Sequence, residues 1–145
     1  MPARFHDQEV SSKLKDRRKL SAFLDALVNN EIKKLKKLQL TYIFCSDEHL
    51  LQINKEFLKH NTYTDIVTFD LGEFDDEVIG EIYISVDRVA ENAEKFDTTY
   101  NNELHRVIFH GALHLCGYKD KTEEDKKKMR RKEDQCLKQY FKDQA

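Results

Sequence analysis

Apolar residues recur along this chain at two different periods, and each change of period marks an element. Between residues 15 and 37, Leu20, Phe23, Leu24, Leu27, Val28 and Ile32 return every three or four positions, the spacing that lines one face of an α-helix. Lys33, Lys34, Lys36 and Lys37 crowd its C-terminal end, where cations meet the negative end of the helix dipole. They read either as an RNA-facing patch or as a solvated helix end, and charge runs are more often the second. Residues 38–45, L-Q-L-T-Y-I-F-C, alternate with β-branched and aromatic residues and predict a strand. Ser46 or Asp47 then caps a short helix through residue 57. A polar connector over 59–64 leads to a second strand at 65–71, and beyond an acidic G-E-F-D-D-E hairpin an isoleucine-rich third strand runs over 78–85. Ser85 or Asp87 caps a short helix to about residue 96, and Thr98 or Thr99 opens another. In this one Leu104, Val107, Ile108, Phe109, Ala112, Leu113 and Leu115 leave little polar surface, as in a helix buried at the centre of a domain. Gly117 should stop it, because glycine takes a left-handed backbone at no steric cost. Thr122 with Asp125 resembles a capping arrangement for a last helix, with Met129, Cys136, Leu137 and Tyr140 inward and a basic run at 126–132 on the surface. The first fourteen residues are unpatterned, a tail or a short edge strand.

This order of elements predicts an α+β fold: a small mixed β-sheet packed against a central buried helix, with flanking helices. A length of 145 residues with 39% hydrophobic content suits one core and one domain, residues 1–145. Lysine and arginine number 25 against 27 acids, so there is no global basic field, and a nucleic-acid partner must be held by a local patch. Cys45, Cys116 and Cys136 form no C-x-x-C pair, which argues for a reducing compartment and a cytoplasmic location. The apolar runs are too short to cross a bilayer and the N-terminus lacks the apolar core of a signal peptide, so no membrane partner is expected.

The candidate chemistry lies on the apolar helix. His110 and His114 are four residues apart, a spacing that stacks two imidazoles on one face where they can share a cation. Beyond the turn at Gly117, Asp120 offers a third donor acceptable to zinc, which would leave a fourth position for water or substrate. Two histidines at this spacing also occur as ordinary hydrogen-bonded side chains, and on spacing alone the two readings stand about level. Gly111 occupies the position at which an H-E-x-x-H protease carries its glutamate, which disfavours peptide hydrolysis. Two histidines and a carboxylate are also the donors of certain iron oxygenases, but no site for an oxygen cosubstrate is evident.

Residues 110–120, H-G-A-L-H-L-C-G-Y-K-D, resemble the signature H-G-x-L-H-L-x-G-Y-D-H of the YbeY family of ribosomal-RNA maturation factors, in which three histidines bind zinc. T-D-I-V-T-F at 64–69 looks like the family's T-[DN]-V-L-S-F strand, N-K-E-F at 54–57 precedes it in the same order, and G-E-I-Y-I-S at 80–85 is similar to G-D-I-x-I-S. The resemblance spans about residues 43–120. It implies a metal-dependent, single-strand-specific endoribonuclease that matures the 3′ end of the small-subunit (16S) ribosomal RNA and serves ribosome quality control. It further implies one Zn²⁺ or other divalent ion per chain on His110, His114 and Asp120. The implied partners are single-stranded ribosomal RNA and the small ribosomal subunit or its proteins, with no DNA. Two departures from the pattern matter: Asp120 replaces the third histidine, and Leu58 stands where an arginine is usual, with Lys59 and His60 beside it. The second departure keeps open a non-catalytic, metal-stabilised assembly factor. Lys59 and Arg106 are the candidates for phosphate contact. Arg106 precedes His110 by four residues and could equally be a structural partner for an acid such as Glu103. His60 is the candidate proton acceptor, because an unperturbed imidazole titrates near ~6.5, against the simpler reading of an exposed loop histidine.

Overall fold

Alternation is cleanest in two nine-residue stretches, and these form the middle of the sheet. The computed structural model describes residues 1–59 and 62–142. The chain runs β1 (Ala3–Asp7), α1 (Arg17–Glu31), β2 (Lys37–Cys45), α2 (Asp47–Leu58), β3 (Ile66–Asp70), β4 (Glu77–Ser85), α3 (Val86–Lys95), α4 (Tyr100–Leu115) and α5 (Glu123–Tyr140). The strands lie in the order β1-β2-β4-β3. β1 and β4 both pair in parallel with β2, and β3 pairs antiparallel with β4, so the sheet is mixed, as expected. The unpatterned N-terminus supplies the edge strand β1, where Ala3 and Phe5 turn inward.

One face of the sheet meets α4. Leu40, Tyr42, Phe44, Ile82 and Ile84 are fully buried against Leu104, Ile108, Phe109 and Leu113, and burial of each such side chain contributes roughly 1.5–3 kcal/mol. The Tyr42 hydroxyl donates to the Ile108 carbonyl at 2.8 Å, which satisfies a polar group that would otherwise be costly inside. α1 and α5 close this core with Leu20, Leu24, Met129 and Tyr140. A smaller cluster, Cys45, Leu50, Ile53 and Val67, packs α2 with the sheet. Gly111 lets α4 ride close to the strands: a β-carbon there would lie 3.0 Å from Ile82 Cγ2 and 3.2 Å from Ile66 Cδ1.

Helix ends follow the local chemistry, with one difference. Ser46, Ser85, Thr99 and Thr122 each cap the helix that follows them through the side chain. α4 stops where the sequence says it should: Gly117 has φ +104°, and the Tyr118 N–H donates to the Leu113 carbonyl at 3.1 Å, the reverse turn that glycine permits. α1, however, ends at Glu31 and not near residue 37. Ile32 is already extended and Lys34 has φ 60°, because Lys37 is drawn into the β2 ladder. Lys33, Lys34 and Lys36 therefore sit on a connector past the helix, and Lys36 pairs with Asp76 at 3.5 Å. Among the described residues no helix is long and apolar enough to cross a membrane.

Candidate active site

Arg106 and His110 lie one helical turn apart on α4 and both face α5 across a row of acids. The Nδ1 atom of His110 is 2.7 Å from Glu133 Oε2, and its Nε2 atom is 3.4 Å from Asp120 Oδ2. The other Glu133 oxygen accepts from Arg106 Nη1 at 3.1 Å, and Arg106 Nη2 donates to Asp134 at 2.7 Å. One buried carboxylate thus braces both an imidazole and a guanidinium. Burial alone would lower the His110 pKa, but hydrogen bonding and charge from Glu133, joined by Asp120 and Asp65, outweigh it and hold the pKa above its ordinary value. Arg106 shows the same contest, burial opposed by Asp134 and Glu133, with a net upward shift.

These groups open onto a cavity of about 450 Å³ whose lining includes His110, Asp120, Asp65, Glu103, Arg106 and Arg130. Burial raises the pKa of Asp65, with His110 opposing, and it raises that of Glu103, with Arg106 opposing. The cavity therefore holds two carboxyls that keep a proton more readily than ordinary ones.

Of the residues singled out in the sequence, the fold brings together His110, Asp120 and Arg106. His114 lies one turn further along α4 with its side chain exposed, and it does not line the cavity. Lys59 is the exposed C-cap of α2, in a left-handed backbone with φ 56°, and lies outside the lining. His60 falls outside the described residues. Arg106 has acidic partners, but they are Glu133 and Asp134 rather than Glu103: the helix turns Arg106 toward α5, and among the described residues no ion pair joins it to Glu103. Among the described residues no three histidine, cysteine, aspartate or glutamate side chains converge closely enough to cage an ion. The donor chemistry at His110 nonetheless fits a divalent metal. Glu133 stands against Nδ1 and leaves Nε2 on the Asp120 side; in the neutral tautomer with its proton on Nδ1, Nε2 would be the donor to an ion, the arrangement of a carboxylate behind a metal-binding histidine.

Glu133, Asp65 and Arg130 were not singled out from the sequence. A signal existed for the first: Glu133 stands four residues from both Met129 and Leu137, a lone acid on the apolar stripe of α5, and all three are buried. An acid at such a position needs a partner, and the partners are Arg106 and His110.

Together these features define an α+β protein whose polar cavity is carried by a core helix and closed by the helix after it. Comparison with known proteins narrows that class. The family model described as Endoribonuclease YbeY matches residues 4–141, and the chain belongs to this family. It is 47% identical over 133 residues to the Endoribonuclease YbeY of Cytophaga hutchinsonii, covering 92% of each chain. It is 40% identical over 136 residues to the Endoribonuclease YbeY of Flavobacterium johnsoniae, covering 94% of this chain and 96% of that one. The solution structure of TM1509 from Thermotoga maritima matches with a TM-score of 0.65 at 29% identity, over 97% of this chain and 90% of that one, in keeping with the α+β fold.

Proposed function

We propose that this chain is a metal-dependent, single-strand-specific endoribonuclease that acts in the cytoplasm on the 3′ end of the small-subunit (16S) ribosomal RNA, in maturation and quality control, in contact with the subunit or its proteins. The observation that carries the reading is His110, braced by Glu133 and facing Asp120 at an open polar cavity, in a chain of the endoribonuclease YbeY family. His110, His114 and Asp120 would hold one zinc or other divalent ion. When bound, such an ion supplies a water acidic enough to ionise near neutral pH and takes charge from a phosphoryl oxygen.

The chain's own residues do the positioning. Glu133 fixes the His110 ring and Arg106 fixes Glu133, so the guanidinium acts as support for the site, its charge answered by two carboxylates. Asp65 lies in the cavity wall with its pKa raised by burial and is suited to take up and return a proton at the cleaved bond. Lys59, which caps α2, and His60, the next residue in the sequence, are the remaining candidates for phosphate contact and proton transfer. Single-turnover cleavage by His60→Ala, compared with Asp65→Asn, separates them, since removal of the acting base costs about 10²–10⁴-fold and removal of a bystander almost nothing.

The deciding experiment compares cleavage of single-stranded and duplex RNA by metal-loaded and chelated protein. Cleavage confined to single strands and abolished by chelation is expected. Stoichiometric metal and RNA binding without cleavage would instead favour an assembly factor, the reading that Leu58 in the usual arginine position keeps in view.

A further inference from the structure

α5 carries six basic residues between positions 126 and 132, and they are not equivalent. Lys132 is held by Glu31 at 2.8 Å, and Lys128 lies over the Tyr118 ring. Lys126 has only a loose, exposed pairing with Glu123 at 3.8 Å. Among the described residues, no carboxylate lies within 4.0 Å of Lys127, Arg130 or Arg131. Lys126, Lys127, Arg130 and Arg131 follow the i, i+1, i+4, i+5 pattern that gathers side chains into one stripe. All four are exposed, and together they line a shallow depression of about 660 Å³.

Two further facts give this stripe a direction. The neighbouring stripe of α5, Met129, Glu133, Cys136, Leu137 and Tyr140, is buried, so the helix cannot roll and the cations are held outward at a fixed angle. Lys126 and Arg130 also line the His110 cavity, so the basic stripe begins at its rim and leads away over Lys127 and Arg131. In a chain with a net charge of −2, such a local concentration cannot be a by-product of a basic surface.

We propose that this stripe of α5 is a phosphate rail, which holds the RNA backbone just outside the cavity and sets the direction in which the strand leaves it. The inference rests on the endoribonuclease reading for its ligand. The five steps from Lys126 to Arg131 span ~7.5 Å at ~1.5 Å per residue, a length matched to about one or two phosphates of a single strand. Arginine forks engage phosphate oxygens bidentately, whereas the lysines add charge without fixed geometry. The rail reads no sequence. It raises affinity through counterion release and favours RNA long enough to reach it.

The test is fluorescence anisotropy of a labelled single-stranded RNA against salt concentration, for wild type, Lys127→Gln/Arg131→Gln and Lys132→Gln, with melting curves to verify that each is folded. Each lost phosphate contact on a single strand removes about 0.7 from the slope of log K against log salt. The double variant should therefore lose about 0.7–1.4, whereas Lys132→Gln, whose charge is engaged by Glu31, should keep the wild-type slope. In cleavage, the double variant should lose most of the preference in kcat/KM for long over short RNA. A wild-type slope in the double variant overturns the rail, and so does displacement of the RNA by polyglutamate at lower concentration than by unlabelled RNA, which would assign the stripe to an acidic protein. If wild type binds RNA with the expected slope loss in the variant yet cleaves nothing, the endoribonuclease reading fails and the rail stands.

Discussion

Glu133 has two jobs that a single substitution can separate. Its charge answers Arg106 and its second oxygen orients His110. Glu133→Gln keeps the shape, replaces one acceptor by a donor and removes the charge, so the imidazole loses the anion that fixes its orientation. Loss of such a supporting carboxylate typically weakens metal affinity about 10–100-fold. A zinc titration against a competing chelator should show that loss in Glu133→Gln. In the same titration Asp120→His should retain one ion per chain, because it supplies a ligand of the usual kind at the same turn. Equal affinity of the Glu133→Gln and wild-type proteins would mean that Glu133 serves Arg106 alone.

Elements were largely legible in the sequence because period, caps and stop residues agree locally: β2 and β4 by alternation, α4 by its apolar surface, and its end by Gly117. What escaped was set by distant parts of the chain. The early end of α1 depends on the pull of Lys37 into a ladder with β4, and the pairing of Arg106 with Glu133 spans 27 positions, which no local window contains. For the site, spacing and a turn are enough to suggest His110 and Asp120, which the fold sets 3.4 Å apart, whereas the contacts of Glu133 depend on how α5 lies against α4. The close approach of α4 to the sheet gives a stability prediction at this scale. Gly111→Val adds three carbons where even one would press on Ile82 and Ile66, so overpacking should cost about 1–3 kcal/mol. A denaturant titration should report it as a lower midpoint, and a midpoint equal to wild type would mean that α4 can lift without loss.

For the molecule as a whole, stability should depend on pH through a histidine outside the site. His105 is buried, with its Nδ1 atom 2.7 Å from the Asn101 carbonyl and its ring stacked on Tyr140. Burial lowers its pKa, and the Asn101 contact opposes this only in part. A base whose folded pKa is depressed contributes fully above its unfolded value of ~6.5, and that contribution drains away as pH falls, because the unfolded chain takes the proton first. His110 acts in the opposite sense: its raised folded pKa gives stability that is present below ~6.5 and lost as pH rises through the folded value. Melting temperature followed from pH 7.5 to pH 5 should therefore fall less steeply in His105→Gln than in wild type, though from a lower starting point. Parallel curves would show that His105 keeps an ordinary pKa.

The reverse turn after Gly117 has a consequence for protease digestion. Asp120 stands between Lys119 and Lys121, and all three are exposed, so the proposed metal ligand is flanked by two bonds that trypsin recognises. Cleavage requires the backbone there to leave its turn and stretch out in the protease, which a side chain tied to an ion would resist. Trypsin should nick the apo protein first in this segment, zinc should slow the nick, and Asp120→Ala should be cut at the same rate with or without zinc. Digestion followed by mass spectrometry would then report occupancy of the site without any RNA being present.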